Sequence, residues 1–211
     1  MDSYGRKWAE GAWTLAVIVA ECLGQRLELE TDPRLFSPGH ADRGTLAMLS
    51  AAHFSPGMKV LDLGCGCGLV GIVAARLCGE ENVIMSDIDP LAVQIAARNA
   101  ARNGVGGVRA VVSDGLSDVD GAGFDLILSN PPYQSDFSVA KAFIEKGFNR
   151  LKIGGRLLMV TKRREWYRNK LIAIFGGVRV REIDGYFVFE AERRSERYAG
   201  RQPVTRGHHK T

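Results

Sequence analysis

The feature that most constrains this fold is a glycine-rich turn that directly follows a short apolar stretch. It lies in the segment Val60-Leu-Asp-Leu-Gly-Cys-Gly-Cys-Gly-Leu-Val-Gly71. The first four residues suit a buried strand, and the glycines let the backbone approach a ligand closely before a helix begins. A strand, a glycine turn and a helix in this order are typical of α/β sheets that bind nucleotides. The segment therefore predicts an α/β domain with a ligand site at the turn.

Short apolar runs and helical stretches alternate through residues 59–191. This alternation predicts a mainly parallel sheet with helices on both faces. Asp89-Pro90 and Asn103-Gly104 mark the start and end of one helix, and Asp184-Gly185 favours a tight antiparallel hairpin near the C-terminal end. The predicted fold class is therefore α/β, with a seven-stranded, mainly parallel sheet. The seven strand candidates are Lys59–Leu63, Val83–Ser86, Val108–Val112, Phe124–Ser129, Arg156–Val160, Val178–Ile183 and Tyr186–Ala191.

A chain of 211 residues suits one main domain with an extension at each end. We predict an N-terminal extension over residues 1–32, a main domain over residues 33–191 and a flexible basic tail over residues 192–211. In the extension, Ala12–Ala20 is too short to span a membrane and predicts an amphipathic helix, whereas Arg26–Glu30 predicts a short strand. Pro33–Thr45 is rich in proline and glycine, and we expect this loop to fold over a site.

Charge and cysteine content exclude several classes. The net charge of +4 equals the excess of six Lys and Arg over two Asp and Glu in residues 192–211, so this tail could hold a polyanion such as RNA or simply be solvated. A content of 45% apolar and 25% charged residues excludes disordered and collagen-like chains. The four cysteines fit neither a disulfide framework nor a paired zinc motif. We therefore expect a cytoplasmic protein without a metal site.

Acidic residues around the turn indicate which cofactor it would hold. Gly66, Gly68 and Gly71 match G-x-G-x-x-G, and Asp87 lies 21 residues beyond the first of them, so a nicotinamide dinucleotide is one possibility. A pyrophosphate would be repelled by Asp62. S-adenosylmethionine carries an ammonium group for that carboxylate and a carboxylate group for the loop amides, so we favour it. Asp87 would then accept hydrogen bonds from the ribose hydroxyls.

Ser129-Asn-Pro-Pro-Tyr133 follows the fourth predicted strand. Pro131 and Pro132 stiffen this corner and leave the carbonyl of Pro131 free to accept, while the side-chain oxygen of Asn130 is a second acceptor. Two convergent acceptors would grip the hydrogens of a planar amino group and turn the nitrogen lone pair towards a methyl donor. Tyr133 could stack on a base. The alternative interpretation is a rigid turn with a packed tyrosine.

These segments together resemble the class I S-adenosylmethionine-dependent methyltransferases over about Lys59–Ala191, in particular the amino-methylating branch with N-P-P-[YF]. Further segments resemble the small bacterial ribosomal RNA guanine-N2 methyltransferases, the RsmC-like group. They are the loop Leu35–Thr45, the strand entry Leu151–Lys162 and the closing segments Phe175–Val180 and Asp184–Val188.

The resemblance implies a catalytic methyltransferase domain over residues 33–191 and a role for three sets of residues. The catalytic set is Asn130, Pro131, Pro132 and Tyr133. The cofactor-binding set is Asp62, Gly64, Cys65, Gly66, Gly68, Asp87, Ile88, Asp114, Gly115 and Asn130. The substrate-binding set is Phe36, Asp42, Gly44, Tyr133, Lys162, Arg163 and Arg164. For Asp114, a turn-forming Asp-Gly pair is the alternative.

The last three substrate residues begin a basic segment, Lys162–Lys170, that also contains two aromatic residues. Positive charge beside aromatic faces suits flexible RNA. The alternative is an amphipathic helix that turns its apolar side chains inward and leaves its charges solvated. Longer members of the family carry a second domain for RNA recognition, for which 211 residues leave no room. We therefore expect this domain and its tails to make any contact with RNA.

The leading hypothesis is an N-methyltransferase that acts on a base in RNA, with guanine N2 of ribosomal RNA as its first candidate. Tyr133 also occurs in enzymes that methylate adenine N6 or protein glutamine, so these acceptors stay open. Two hypotheses from other classes are a nicotinamide-dependent oxidoreductase and a non-catalytic RNA-binding module of the same fold.

Overall fold

The computed structural model describes residues 16–35, 39–132 and 137–200. Their strands are β1 Ala16–Cys22, β2 Gln25–Thr31, β3 Val60–Leu63, β4 Val83–Asp87, β5 Arg109–Val112, β6 Phe124–Ser129, β7 Leu151–Thr161, β8 Arg179–Ile183 and β9 Tyr186–Glu192. Their α-helices are α1 Arg43–Ala51, α2 Leu69–Cys78, α3 Pro90–Arg102, α4 Ser138–Arg150 and α5 Arg164–Phe175. A short 3-10 helix covers Glu80–Asn82.

Seven strands form one sheet in the order β5-β4-β3-β6-β7-β9-β8, and β1 pairs with β2 in a separate hairpin. The pairs from β5 to β7 are parallel. β9 runs antiparallel to both β7 and β8. The turn between β8 and β9 consists of Asp184 and Gly185, both with positive φ, as a two-residue hairpin turn requires. The predicted fold class and all seven predicted sheet strands are confirmed.

Two hydrophobic cores lie on opposite faces of this sheet. Side chains of α1, α2 and α3 cover one face, where Val60 and Leu128 point. Side chains of α4 and α5 cover the other face, where Leu61 and Ile127 point. Neighbouring residues of the central strands thus face opposite cores, which explains why these strands read as continuous apolar runs.

The predicted helix over Ala12–Ala20 is wrong for the part that the structure describes, because residues 16–20 lie in β1. Their β-branched side chains favour extended backbone. Val17 and Val19 are exposed while Ala20 is buried, so the strand alternates between solvent and core. The predicted strand Arg26–Glu30 is confirmed as the middle of β2.

Two buried asparagines, Asn99 in α3 and Asn103 at its C-terminal cap, hold β2 in place. Asn99 accepts from the N–H of Glu30 at 2.7 Å and donates to its carbonyl at 2.9 Å. Asn103 makes the same pair of bonds with Glu28, at 3.2 and 2.9 Å. The two amides thus replace a neighbouring strand along this edge of β2. Asn99 also donates to the carbonyl of Cys67 at 2.8 Å, which ties the hairpin to the glycine-rich turn.

Asn99→Ala is expected to lower the free energy of unfolding by about 2–4 kcal/mol, because partly buried backbone groups of Glu30 and Cys67 lose their partners. Urea denaturation measures this loss. Gln94, exposed on the same helix, supplies the control: Gln94→Ala should change the value by less than about 0.5 kcal/mol. Equal losses in both variants would show that the amide contacts do not stabilise the hairpin.

Candidate active site

The candidate site lies at the edge of the sheet where its parallel strands end. Each of these strands leads into a residue or loop singled out from the sequence. β3 leads into the glycine loop (residues 64–68), β4 ends at Asp87, β5 precedes Asp114, β6 precedes Asn130 and β7 precedes Lys162. Because parallel strands end at the same edge, residues that are distant in the sequence converge here.

The glycine loop uses backbone angles that other residues disfavour. Gly64, Gly66 and Gly68 have φ values of +80°, +53° and +90°. The N–H groups of Gly64 and Cys65 donate to the carbonyl of Ser86 at 2.8 and 2.9 Å, which anchors the loop on β4. Without side chains at three positions, the loop lets a ligand approach its backbone and the positive N-terminal end of α2.

Asp62, in β3, is a buried carboxyl at the base of the loop. Its Oδ2 accepts from the N–H of Gly71 at 2.8 Å. Burial, helped by the nearby charge of Asp87, raises the pKa of Asp62 to about 7. A Cβ on Gly71 would lie 2.3 Å from Cγ of Met85 and 3.3 Å from this Oδ2. The third glycine of the pattern therefore allows close packing of α2 on the sheet.

Asp87, at the end of β4, is bonded to the glycine loop. Its Oδ2 accepts from the N–H of Gly66 at 2.9 Å, and its Oδ1 accepts from the N–H of Asp89 at 3.1 Å. Burial raises the pKa of this carboxyl. Ile88 beside it is 64% exposed, which is unusual for a large apolar side chain. The end of β4 thus offers a carboxylate and an apolar surface next to each other.

Asp114 and Gly115 form the turn after β5. The carbonyl of Asp114 accepts from the N–H and Oγ of Ser117, while its side chain is exposed. A Cβ on Gly115 would lie 3.4 Å from Phe143, and one on Gly64 would lie 3.9 Å from the same ring. Phe143 therefore lies between this turn and the glycine loop. Sequence reasoning missed it because α4 carries no motif.

Asn130 lies directly after β6 in a network with the start of α1. Its Nδ2 donates to Oδ1 of Asp42 at 2.7 Å and to Oγ1 of Thr45 at 2.9 Å. Among the buried side-chain nitrogen and oxygen atoms of the described residues, only Oδ1 of Asn130 has no hydrogen-bond partner. The structure thus brings predicted residues Asp42 and Asn130 together and adds Thr45, which sequence reasoning missed.

The loop predicted over Pro33–Thr45 ends three residues early, because Asp42 caps α1 and the helix begins at Arg43. Its described end lies against the candidate site, as expected. A Cβ on Gly44 would lie 2.9 Å from the ring of Tyr186 in β9. Gly44 therefore lets α1 pack directly on that ring, a contact that no local pattern predicts.

Some predicted site residues cannot be placed. Phe36 and Tyr133 lie outside the described residues, so their roles stay predictions. Pro131 is buried and Pro132 half-buried, directly after Asn130.

A basic–aromatic patch follows β7, formed by three consecutive cations and the rings beneath them. The pairs are Lys162 over Tyr186 at 4.9 Å, Arg163 over Phe137 at 5.0 Å and Arg164 over Phe187 at 5.8 Å. Phe137 also stacks on Trp166, with ring centroids 4.2 Å apart. The cations remain exposed. Because Tyr186 also contacts Gly44, the patch adjoins the Asn130 network.

The alternative interpretation of the basic segment as an amphipathic helix is correct in part. α5 buries Tyr167, Leu171 and Ile174, whereas Trp166 is only half-buried. Lys170 forms an ion pair with Glu145 of α4, so its charge is already neutralised within the protein. The cations left to contact a partner are therefore Lys162, Arg163 and Arg164 at the start of the segment and the exposed Arg168.

Cys22, Cys65, Cys67 and Cys78 are free thiols. Burial raises the pKa of the Cys65 and Cys67 thiols, so both stay protonated at neutral pH and serve as small residues of the loop. In residues 16–35, 39–132 and 137–200, no group of three or more His, Cys, Asp or Glu side chains could hold a metal ion. No helix within these ranges is long and apolar enough to cross a membrane.

Comparison with known proteins places these features in one family. The model of the methyltransferase small domain matches residues 26–190. Ribosomal RNA small subunit methyltransferase C of Hahella chejuensis is 37% identical over 158 residues, which cover 73% of this chain and 46% of that protein. The enzyme of the same name from Serratia proteamaculans is 34% identical over 170 residues, 78% of this chain and 48% of that protein.

A solved structure agrees with the fold. The T. thermophilus 16S rRNA N2 methyltransferase (RsmC), in complex with AdoMet and guanosine, matches with a TM-score of 0.80 at 28% identity. The match covers 89% of this chain and 53% of that chain. The present chain thus spans about half the length of the curated relatives that it matches.

Proposed function

The chain belongs to the methyltransferase small-domain family, and we propose that it is an S-adenosylmethionine-dependent N-methyltransferase of RNA. Its acceptor is the exocyclic amino group of a base, specifically guanine N2 in ribosomal RNA. The names of the similar proteins and the solved structure with AdoMet and guanosine support this acceptor. A cytoplasmic location is part of the same proposal.

The observation that carries the proposal is the unpartnered Oδ1 of Asn130. A buried acceptor without a donor costs about 1–3 kcal/mol, so a fold that holds one at a sheet edge gains from a donor supplied by a ligand. An exocyclic amino group is such a donor, and it is planar and neutral. The match to the methyltransferase family argues against the oxidoreductase hypothesis.

The residues present fit S-adenosylmethionine. Asp62 can face its ammonium group, Asp87 its ribose hydroxyls, and the glycine loop offers amides at the N-terminus of α2 for its carboxylate. We propose that Ile88 and Phe143 contact the adenine on its two faces, with Asp114 near the adenine amino group. When bound, this cofactor supplies a methyl group activated by the positive charge of its sulfonium.

The chain itself contributes mainly by positioning. Oδ1 of Asn130 and the carbonyl of Pro131 accept the two amino hydrogens, so the nitrogen lone pair turns towards the methyl group. Burial of this Oδ1 strengthens the contact because water does not compete. A nitrogen that has gained a methyl group and a positive charge is acidic enough to give its proton to water, so no strong base is needed. Tyr133 would stack on the base.

We propose that the basic–aromatic patch holds the RNA beside this acceptor site. Its cations remain exposed although each lies over a ring, so they can contact phosphates while the rings keep them in place. Lys162 adjoins the network of Asn130 through Tyr186. The patch would therefore bind nucleotides that flank the target base rather than the base itself.

Methyl transfer from labelled S-adenosylmethionine to ribosomal RNA, small ribosomal subunits and total protein tests the proposal. We expect label in RNA, and N2-methylguanosine after digestion and mass spectrometry. Asn130→Ala, assayed in parallel, identifies label that comes from a contaminating enzyme.

Each rival predicts another product. N6-methyladenosine would change the acceptor, and methylated glutamine in protein would reject RNA as the substrate. Binding of the cofactor with no label in any fraction would favour the non-catalytic RNA-binding module.

A further inference from the structure

We infer that Asp42 and Thr45 are positioning residues that hold the amide of Asn130 in the single orientation that accepts a substrate amino group. The inference rests on the proposed function and deepens it, since it assigns the specificity of the acceptor site to a second segment of the chain. Asp42 and Thr45 lie at the start of α1, 88 and 85 residues before Asn130.

An asparagine amide can rotate by half a turn, which exchanges its oxygen and its NH2 group. Here both hydrogens of Nδ2 are taken, one by the carboxylate of Asp42 at 2.7 Å and one by the hydroxyl of Thr45 at 2.9 Å. After rotation, the amide oxygen would face the carboxylate, and two acceptors repel each other. Asp42 therefore excludes the rotated state.

The carboxylate of Asp42 is itself fixed. Its Oδ1 accepts from the backbone N–H of Thr45 at 2.8 Å, as the N-cap of α1, and from the Thr45 hydroxyl at 3.2 Å. The hydroxyl can thus donate to Asp42 and accept from Asn130 at the same time. Three side chains form one closed network in which every hydrogen has one acceptor.

Packing of α1 against β9 keeps Asp42 and Thr45 next to Asn130, the residue that follows β6. Gly44, between the two positioning residues, lies so close to Tyr186 that an added Cβ would be 2.9 Å from the ring. The N-terminus of α1 is therefore held by β9 as well as by Asn130.

The orientation of the Asn130 side-chain amide decides which group the acceptor site can bind. With Oδ1 of Asn130 buried and unpartnered, the site accepts a donor. With the amide rotated, the site would present NH2 to an amino group, and the two donors would repel each other. A base with a carbonyl at this position would then bind instead.

Thr45→Val removes the hydroxyl at nearly constant volume, and Asp42→Asn keeps an N-cap but allows the rotated amide. We expect each to lower kcat for methyl transfer about tenfold, with KM and cofactor affinity changed less than about twofold. Thr45→Ser should recover most of the lost rate. Ser50→Ala, which removes a hydroxyl from the far end of α1, should leave the rate unchanged.

Combination with Asn130→Ala separates positioning from a general effect on the fold. If Thr45 acts through Asn130, Thr45→Val causes no further loss in the Asn130→Ala protein. A further tenfold loss in that background would overturn the inference.

Nuclear magnetic resonance gives a test that needs no activity. We expect slow hydrogen exchange at the side-chain amide of Asn130, assigned by its absence in Asn130→Ala, and exchange about tenfold faster in Thr45→Val and Asp42→Asn. Equal exchange rates of this amide in the unaltered protein, Thr45→Val and Asp42→Asn would overturn the inference even if methyl transfer to RNA is found. Slow exchange without transfer to RNA would instead reject the proposed function alone.

Discussion

Asn130→Ala is expected to lower the rate of methyl transfer by about 10²–10³-fold, while the affinity for S-adenosylmethionine changes less than about threefold. The substitution removes the buried Oδ1 that would hold the acceptor amino group. It leaves the glycine loop, Asp62 and Asp87 untouched. The loss should therefore appear in kcat, measured with saturating cofactor, and calorimetric titration should show that cofactor binding is retained.

A matched control is available on α4. Asn149→Ala makes the same chemical change at an exposed side chain, which donates to the carbonyl of Glu145 and to Tyr198. It should retain nearly all activity. A rate in Asn130→Ala above about one tenth of that of the unaltered protein would mean that Oδ1 is not the main contact to the acceptor.

The sequence predicted the sheet well because each strand carries its own local signal. β6 and β9 are mainly apolar runs, and Asp184-Gly185 marks the turn before β9. The ends of both strands lie within a few residues of the predicted ones. The glycine loop could be predicted equally well, since its positive φ values favour glycine. Features that depend on backbone chemistry within one segment can be recognised without the fold.

Features that depend on tertiary contact could not be predicted. Thr45 and Tyr186 gain their roles only because α1 packs beside β6 and β9, and Phe143 because α4 faces the glycine loop. Asn99 reads as an ordinary polar residue until β2 is placed along α3. Only the first strand of the hairpin is wrongly predicted as a helix, since Ala16–Cys22 shows its alternation only once its partner strand is known.

Affinity for S-adenosylmethionine is expected to rise about tenfold between pH 6 and pH 8, because Asp62 must lose its proton to face an ammonium group. Burial raises the pKa of this carboxyl to about 7 in the cofactor-free protein. Below that pH, cofactor binding must first expel the proton from Asp62, so each further pH unit lowers the affinity by up to tenfold. Asp62→Asn should remove most of this dependence and weaken binding about 10–100-fold at pH 8. Calorimetric titration across the pH range measures both effects.

In the cofactor-free protein, Asp62 makes stability fall as pH rises, whereas it makes cofactor affinity rise. Its folded pKa lies above the ordinary value of 3.8, so the folded chain binds more protons than the unfolded chain at intermediate pH. Its contribution to stability is fully present below about pH 4 and is lost as pH rises through about 7. The Tm of the unaltered protein, relative to that of Asp62→Asn, should therefore fall from pH 5 to pH 8, while its affinity for the cofactor rises. A buried Asp62 with a purely structural role would show the same fall in Tm but no rise in affinity, so the paired measurement separates a cofactor-binding Asp62 from a structural one.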